Sequence, residues 1–275
     1  MRNQSQVAAT GLTDLHDSGM MRLPHCELAA EICAEEGVPE VSFEVSPRVY
    51  QLQAFGCQVF ALLDDEVTLI DTGAPGSGRF ILRQLRELGR EPRDVARIIL
   101  THYHIDHRGA ADELRRATGA RVLIHASEAP YLRGLLPYPN PVQSRPLAAL
   151  AAPLLAAVKG RPLEVEELND GDVLDILGGL RVLHSPGHTR GSITLSLPRE
   201  GLLVAGDTMG FRRSRLETPD PLVSENVELA KLSLERLAAL DVDIICFGHF
   251  NPLRHRARQA LETLVATWSN EFRAT

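Results

Sequence analysis

The sequence predicts an α/β protein, in which sheets covered by helices surround a buried core. Short runs rich in Val, Ile, Leu and Phe alternate with segments whose apolar residues recur at helical spacing, a pattern typical of strands that alternate with helices. The residues are 44% hydrophobic and 24% charged, which is an ordinary globular composition. With 275 residues, the chain is long enough to bury a large core. Collagen-like, low-complexity and wholly disordered chains are excluded.

The chain is predicted to consist of an N-terminal extension, residues 1–44, and an α/β domain, residues 45–275. In the extension, apolar residues follow helical spacing only at 26–37. We expect the extension to pack on the domain or on a partner subunit, as in a homodimer. Within the domain, strands followed by helices occur twice, in 46–165 and in 166–275, which indicates two similar halves.

The predicted elements follow one another closely, separated by Gly or by acidic pairs. Apolar and β-branched runs predict strands at 48–55, 57–63, 67–73, 96–104, 120–126, 171–185, 192–198, 201–207 and 242–249. Apolar residues at helical spacing predict helices at 80–89, 111–119, 223–240 and 254–268, the first two ended by Gly. Residues 127–165, rich in Pro, Leu and Ala, interrupt this order. Because long segments between strands are often functional, we expect a lid or pocket wall there, with a helical insertion that only packs as the alternative.

Charge and cysteine content bear on partners and compartment. The 36 acidic residues exceed the 29 Lys and Arg, for a net charge of −7, so the chain lacks the positive field that binds nucleic acid. No apolar run approaches the roughly 18 residues of a membrane span, and the N-terminus shows no secretory segment. We therefore expect a cytoplasmic protein with a small-molecule substrate and no nucleic-acid or membrane partner. Four cysteines without paired spacing are interpreted as core residues: Cys26, Cys33, Cys57 and Cys246.

The most informative stretch is THYHIDH. Four of the six residues from 102 to 107 are of a type that binds metal: His102, His104, Asp106 and His107. It follows the apolar strand RIIL, and a loop at the end of a strand allows neighbouring side chains to turn toward one centre. Imidazole and carboxylate without thiolate suit zinc, iron or manganese. The pattern therefore predicts a metal site at this strand end.

Three further residues of ligand type each follow a predicted strand: His188, Asp207 and His249. Taken singly, a histidine after a strand is more often structural, and Gly-Asp is usually a turn. In α/β architectures, however, sites gather at the carboxyl ends of strands. We therefore expect all seven side chains to converge.

In order, these residues form H-x-H-x-D-H followed by separate His, Asp and His, and over about residues 46–260 the chain resembles the metallo-β-lactamase superfamily. The resemblance implies a four-layer αβ/βα sandwich, with two central sheets and helices outside. It implies two metal sites bridged by Asp207, and it matches Asp71 in LIDTG to the family's upstream Asp, which supports the site from outside the ligands. The first metal would be held by His102, His104 and His188, and the second by Asp106, His107 and His249.

The expected cofactors are two divalent cations, most simply zinc, with iron or manganese as alternatives. Two cations about 3.5–4 Å apart share one water and lower its pKa toward neutrality, which makes a bridging hydroxide available at pH 7. They also stabilise the oxyanion that develops at a carbonyl. Asp106 is placed to orient or relay the proton of that hydroxide, and Asp71 to fix a ligand imidazole through its second nitrogen. Asp106 and Asp207 are thus the predicted catalytic residues.

The predicted reaction is hydrolysis of a small ester, lactone or thioester. Two specific branches of the family match the sequence less well. A glyoxalase II-type thioesterase would keep a substantial helical region after the last His, where this chain has 26 residues, and a quorum-quenching lactonase would have Tyr where this chain has Gly210. The alternatives are a phosphodiesterase or nuclease with the same two metals, an iron-dependent redox member, and a non-catalytic metal-binding module.

Four residues near the site are candidates for substrate contact. Arg212 and Arg213, in the run FRRSR, belong either to a solvated loop or to a subsite for a carboxylate or phosphate. Tyr138 lies in the predicted insertion, whose apolar character indicates a hydrophobic acyl or ring group on the substrate. His184 borders the predicted ligand His188.

Overall fold

The computed structural model describes residues 42–140, 142, 146, 149 and 161–271. The predicted extension helix at 26–37 lies outside this part of the chain, as do Cys26, Cys33 and much of the predicted insertion. The first strand begins at Ser42, inside the extension predicted for residues 1–44.

The first sheet has seven strands, arranged in sequence order. They are β1 (Ser42–Ser46), β2 (Val49–Leu52), β3 (Val59–Leu63), β4 (Val67–Ile70), β5 (Val95–Ile99), β6 (Arg121–His125) and β7 (Glu166–Leu168). Strands β1 to β4 pair antiparallel, and β4 to β7 pair parallel. Strand β7 therefore belongs to the first sheet, although the sequence assigned it to the second half.

The second sheet has five strands and contributes three of the loops described below. The chain forms β8 (Val173–Leu174), β9 (Leu180–His184), β10 (Ile193–Leu197), β11 (Leu202–Val204), β12 (Gly210–Arg212), β13 (Arg215–Glu217) and β14 (Ile244–Cys246). The sheet order is β14-β11-β10-β9-β8, antiparallel except for the parallel pair β11 and β14. Strands β12 and β13 form a separate hairpin, where the sequence predicted a loop.

Longer helices cover the outer faces of the sheets, and short helices lie in the connections. The helices are α1 (Gly78–Glu87), α2 (Ile105–Arg108), α3 (Ala111–Thr118), α4 (Ala129–Leu132), α5 (Val227–Ala238) and α6 (Ala257–Glu271). Helix α3 ends at Gly119, whose φ of 77° suits glycine. Helix α5 begins after Asn226, whose side chain accepts a hydrogen bond from the backbone N–H of Leu229. None of the described helices combines the length and apolar character needed to cross a membrane.

Three apolar clusters separate four layers. The first packs helices α1 and α3 on the first sheet and includes Ile81. The second lies between the two sheets and includes Ile70 and Val182, and the third packs α5 and α6 on the second sheet through Leu234 and Leu261. The architecture is therefore the predicted αβ/βα sandwich.

Candidate metal centre

Loops that follow five strands bring the predicted ligands into one cluster. The THYHIDH stretch spans the loop after β5 and the first residues of α2. The loops after β4, β9, β11 and β14 carry Asp71, His188, Asp207 and His249. Four overlapping groups of three residues lie here, and within each group the ligand atoms are within 4.8 Å of one another. Three of the four groups consist of the predicted ligands. The structure thus places all seven residues together, with Asp71 behind them.

The first group consists of three buried histidines, His102, His104 and His188. Nδ1 of His104 lies 2.9 Å from Nε2 of His188. Burial lowers the pKa of all three imidazoles below the ordinary value. They are therefore neutral near pH 7, the form in which histidine binds a cation.

The second group consists of Asp106, His107 and His249. Here the neighbouring groups raise the pKa values of the imidazoles. Although burial opposes protonation, the Cys57 thiol and the carboxylates of Asp207 and Asp71 raise the pKa of His107, and Asp207 raises that of His249. A bound cation supplies the positive charge that the proton otherwise supplies, and it displaces that proton.

Asp207 lies between the two groups. Its Oδ2 is 3.5 Å from Nε2 of His188 and 3.0 Å from Nε2 of His249, and its Oδ1 is 3.4 Å from Nε2 of His107. Although burial opposes ionisation, the surrounding imidazoles hold the pKa of Asp207 well below its ordinary value. One ionised carboxylate thus contacts histidines of both groups.

Asp71 orients two of the ligand rings from behind. Its Oδ2 accepts hydrogen bonds at 2.8 Å from Nδ1 of His107 and from the Thr101 hydroxyl. Because Thr101 donates its hydrogen to Asp71, its oxygen accepts from Nδ1 of His102, at 3.1 Å. In the neutral form of both histidines, Nε2 therefore carries the lone pair that binds a metal.

Two buried atoms of the cluster lack a hydrogen-bond partner within the part of the chain that the structure describes, a place that a cation would take. Nε2 of His102 and Oδ1 of Asp207 are buried and have no hydrogen-bond partner among the described residues. An unpaired buried polar group costs about 1–3 kcal/mol, and a coordinated cation satisfies such lone pairs. Together with the neutral imidazoles and the ionised carboxylate, these atoms fit divalent metal ions.

Glycine at position 248 allows the backbone to approach the cluster. A Cβ there would collide with Oδ1 of Asp207 and lie 2.8 Å from Cε1 of His107. The loop after β14 therefore tolerates no side chain immediately before His249.

Sequence reasoning missed Glu128, which anchors the loop that carries His188. Its buried Oε1 accepts hydrogen bonds from the Thr189 hydroxyl and, at 3.0 Å, from the backbone N–H of Gly191. Burial raises the pKa of Glu128 to about 8, although these hydrogen bonds act to lower it. No local pattern in the sequence marks this contact, which is so close in the folded chain that a Cβ at Gly191 would collide with the Glu128 side chain.

A cavity of about 640 Å³ opens beside the cluster and is partly walled by His188, Asp207 and His249. Charged groups at its wall include Arg212, Lys231, Glu217 and Asp220. Its volume and mixed lining are typical of small-molecule sites. Much of the remaining wall is apolar: Met209, Leu216, Pro219, Pro221, Val223, Phe250, Leu264 and Trp268.

The described part of the predicted pocket wall at 127–165 lines a separate cavity, through Arg133, Leu135 and residues 162–165. Leu135 and Leu136 are exposed, and no described residue of the segment lines the cavity beside the ligand cluster. The described wall of the cavity beside the ligand cluster comes largely from residues 209–223 and 250–268.

The four predicted contact residues lie in different places. Arg212 lines the cavity, whereas Arg213 lies in the hairpin turn outside the lining. The ring of His184 stacks on that of His125, with centroids 4.1 Å apart, and its Nε2 donates to the Arg190 carbonyl.

Tyr138 belongs to a tyrosine cluster behind the ligand loop, outside the cavity lining. Its ring centroid lies 5.9 Å from that of Tyr103, the residue between two ligand histidines. The guanidinium carbon of Arg108 lies 4.1 Å from the Tyr138 centroid. Tyr138 therefore supports the ligand loop rather than the cavity wall.

Comparisons with known proteins agree with this geometry. The model of the metallo-beta-lactamase superfamily matches residues 54–249. The chain is 29% identical over 200 residues to the probable metallo-hydrolase YflN of Bacillus subtilis, covering 67% of this chain and 75% of that protein. It is 31% identical over 189 residues to a hydroxyacylglutathione hydrolase of Cereibacter sphaeroides, covering 67% of this chain but only 57% of that protein.

Among solved structures, the metallo-beta-lactamase family protein TTHA1429 of Thermus thermophilus has a similar fold. The TM-score is 0.65 at 27% sequence identity, with 84% of this chain and 82% of that chain covered.

Proposed function

The chain belongs to the metallo-β-lactamase superfamily as a metal-dependent hydrolase, and we propose that it uses two divalent cations, zinc in the first instance, to cleave a small ester, lactone or thioester. The observation that carries the binuclear proposal is the position of Asp207. Its carboxylate lies no more than 3.5 Å from a histidine nitrogen in each group. A single carboxylate so placed is suited to bridge two cations.

The ligands divide as the two groups do, with Asp207 shared. When bound, such cations polarise the substrate carbonyl and lower the pKa of the attacking water. Asp71 contributes by holding the rings of His102 and His107 in the tautomer that leaves Nε2 free. The first cation would be held by His102, His104 and His188, and the second by Asp106, His107 and His249.

Asp106 is the carboxylate that we assign to proton transfer. Its side chain is 35% exposed, and its Oδ2 lies 3.5 Å from Nε2 of His249, so it stands at the open side of the cluster. It accepts the proton of the attacking water at Oδ2 and returns it to the leaving alcohol or thiol. As the new C–O bond forms, the ester C–O or thioester C–S bond breaks, and a carboxylic acid is released.

The cavity wall supports a carbonyl substrate with an apolar body. Phe250, Leu264 and Trp268 form an apolar surface in the same cavity as Asp207 and His249, which suits an acyl chain or ring. The relative named hydroxyacylglutathione hydrolase supports a thioester among the candidate bonds.

A phosphodiesterase is the second candidate, because Arg212 lines the cavity and guanidinium groups recognise phosphate well. Acid release distinguishes the two. Purified protein loaded with zinc, iron or manganese is titrated at constant pH with a lactone, an ester, a thioester, a β-lactam and a phosphodiester. Turnover of a lactone, ester or thioester supports the proposal. Turnover of the phosphodiester alone replaces it with the second candidate, and no turnover with any of the three metals counts against hydrolysis of these bonds.

A further inference from the structure

The hairpin of β12 and β13 concentrates positive charge beside the cavity. It carries Arg212, Arg213 and Arg215 within four consecutive positions of a chain with a net charge of −7. The register pairs Arg212 directly with Arg215 across the two strands. Directly opposed residues share one face of a hairpin, so two like charges lie side by side, an arrangement that destabilises a strand pair.

The turn of the hairpin is also unfavourable for its residues. Arg213 and Ser214 have φ angles of 48° and 61°, in the left-handed region where two-residue turns strongly favour Asn-Gly. Backbone strain of this kind is concentrated at functional sites. The hairpin therefore keeps three arginines in a place where local stability favours other residues.

Few acidic groups neutralise this charge. Nη2 of Arg212 lies 3.5 Å from Oδ2 of Asp220, but the Arg212 side chain is 57% exposed, and exposed pairs of this kind are weak. Within the part of the chain that the structure describes, Arg213 and Arg215 form no ion pair. Arg212 lines the cavity that contains Asp207 and His249, whereas Arg215 is not among the lining residues. Because Arg215 is the direct cross-strand neighbour of Arg212, its unpaired charge lies next to the cavity wall.

From these observations we propose that Arg212 and Arg215 bind an anionic group of the substrate, a carboxylate or a phosphate, while the carbonyl is held at the metal cluster. An anion between the two guanidinium groups removes their mutual repulsion and forms charge-assisted hydrogen bonds. The inference rests on the proposed function and narrows its substrate class to acid-bearing esters, lactones or thioesters.

The test compares three esters of equal length, whose acyl chains end in a methyl group, a carboxylate or a phosphate. The wild-type protein is expected to favour one anionic ester by about 10-fold or more in kcat/KM, which corresponds to a single charge-assisted contact. Whether the carboxylate or the phosphate ester is preferred identifies the source of the anion. Equal kcat/KM for all three esters overturns the inference.

Variants separate charge from structure. The double variant Arg212→Gln/Arg215→Gln is expected to bring the anionic-to-neutral ratio close to one, mainly through KM. Ser214→Gly, which relieves the turn but keeps the charges, and Arg93→Gln, which removes an exposed arginine before β5, are expected to keep the wild-type ratio. A double variant that retains the preference, or a Ser214→Gly variant that loses it, contradicts the assignment.

A binding measurement keeps the inference testable if no ester is hydrolysed. Calorimetric titration with the non-hydrolysable amide analogues of the same three compounds is expected to give tighter binding of an anionic analogue to the wild type than to the double variant. Equal binding to both proteins overturns the inference, whatever the outcome for hydrolysis.

Discussion

Oδ2 of Asp71 lies 2.8 Å from Nδ1 of His107, and this contact determines which nitrogen of the ring faces the other ligands. Asp71 has a φ of 61°, a left-handed conformation that is uncommon for a residue other than glycine. The same carboxylate reaches His102 through the Thr101 hydroxyl. One residue outside the ligand set thus orients a histidine of each group.

Asp71→Asn is expected to lower metal affinity or turnover by about 10–100-fold, the usual effect of losing a carboxylate behind a ligand histidine. The neutral amide is a weaker acceptor than the carboxylate for the hydrogen bonds from Nδ1 of His107 and the Thr101 hydroxyl. Competition with a chromogenic chelator measures the affinity. Asp65→Asn, which changes an exposed aspartate, is the control, and an Asp71→Asn variant that matches this control disproves the orienting role.

Glu128 is expected to make stability depend on pH. Its pKa is raised from 4.5 to about 8 in the folded protein, so the folded state holds a proton that the unfolded chain has lost between these values. The resulting stabilisation is complete below the unfolded pKa and is lost as pH rises toward 8. The slope is about 1.4 kcal/mol per pH unit within this window.

Urea unfolding of the metal-free protein at several pH values tests this. Glu128→Gln keeps an acceptor for the Thr189 hydroxyl but does not titrate, so its free energy of unfolding should fall less steeply with pH than that of the wild type. The decline that His107 and His249 contribute through their raised pKa values should be common to both proteins. Glu164→Gln, at an exposed position, should behave as the wild type. Parallel curves for wild type and Glu128→Gln contradict the raised pKa.

Phe250→Ala is expected to raise KM about 10-fold for an ester with an apolar acyl group, because the loss of a large apolar contact is worth at least about 1.4 kcal/mol. Leu136→Ala, at a position that is 46% exposed and outside the cavity lining, should leave KM unchanged. Steady-state kinetics on the same substrate compare the two. A larger increase in KM for Leu136→Ala than for Phe250→Ala would support the pocket wall predicted at 127–165.

The ligand cluster could be predicted because its signal is local in sequence. Each ligand lies in the segment that follows an apolar strand, and strand ends converge in this architecture. The sandwich itself was expected from the resemblance, and the alternation of strands and helices agreed with it. The hairpin of β12 and β13 was not predicted, because a turn with Arg213 and Ser214 in left-handed conformation lacks the Asn-Gly signal.

The cavity wall could not be predicted because it depends on contacts between distant segments. Residues near Arg212 and residues of α6 such as Trp268 meet only in the folded chain. Likewise, nothing local marks Glu128 as a partner of Thr189, 61 residues away. Predicting the substrate side of the site required the packing of α5 and α6, whereas predicting the metal side required only strand ends.

The most direct test of the binuclear proposal is the zinc content of the wild type and of Asp207→Ala, measured after zinc loading and removal of excess metal, with acid release recorded on the same samples. We predict about two zinc ions per wild-type chain. In Asp207→Ala we predict fewer, with turnover reduced by about two orders of magnitude or more. A fully active wild type with about one zinc ion, or an Asp207→Ala variant that keeps both zinc ions and the wild-type rate, would contradict the bridging role of Asp207.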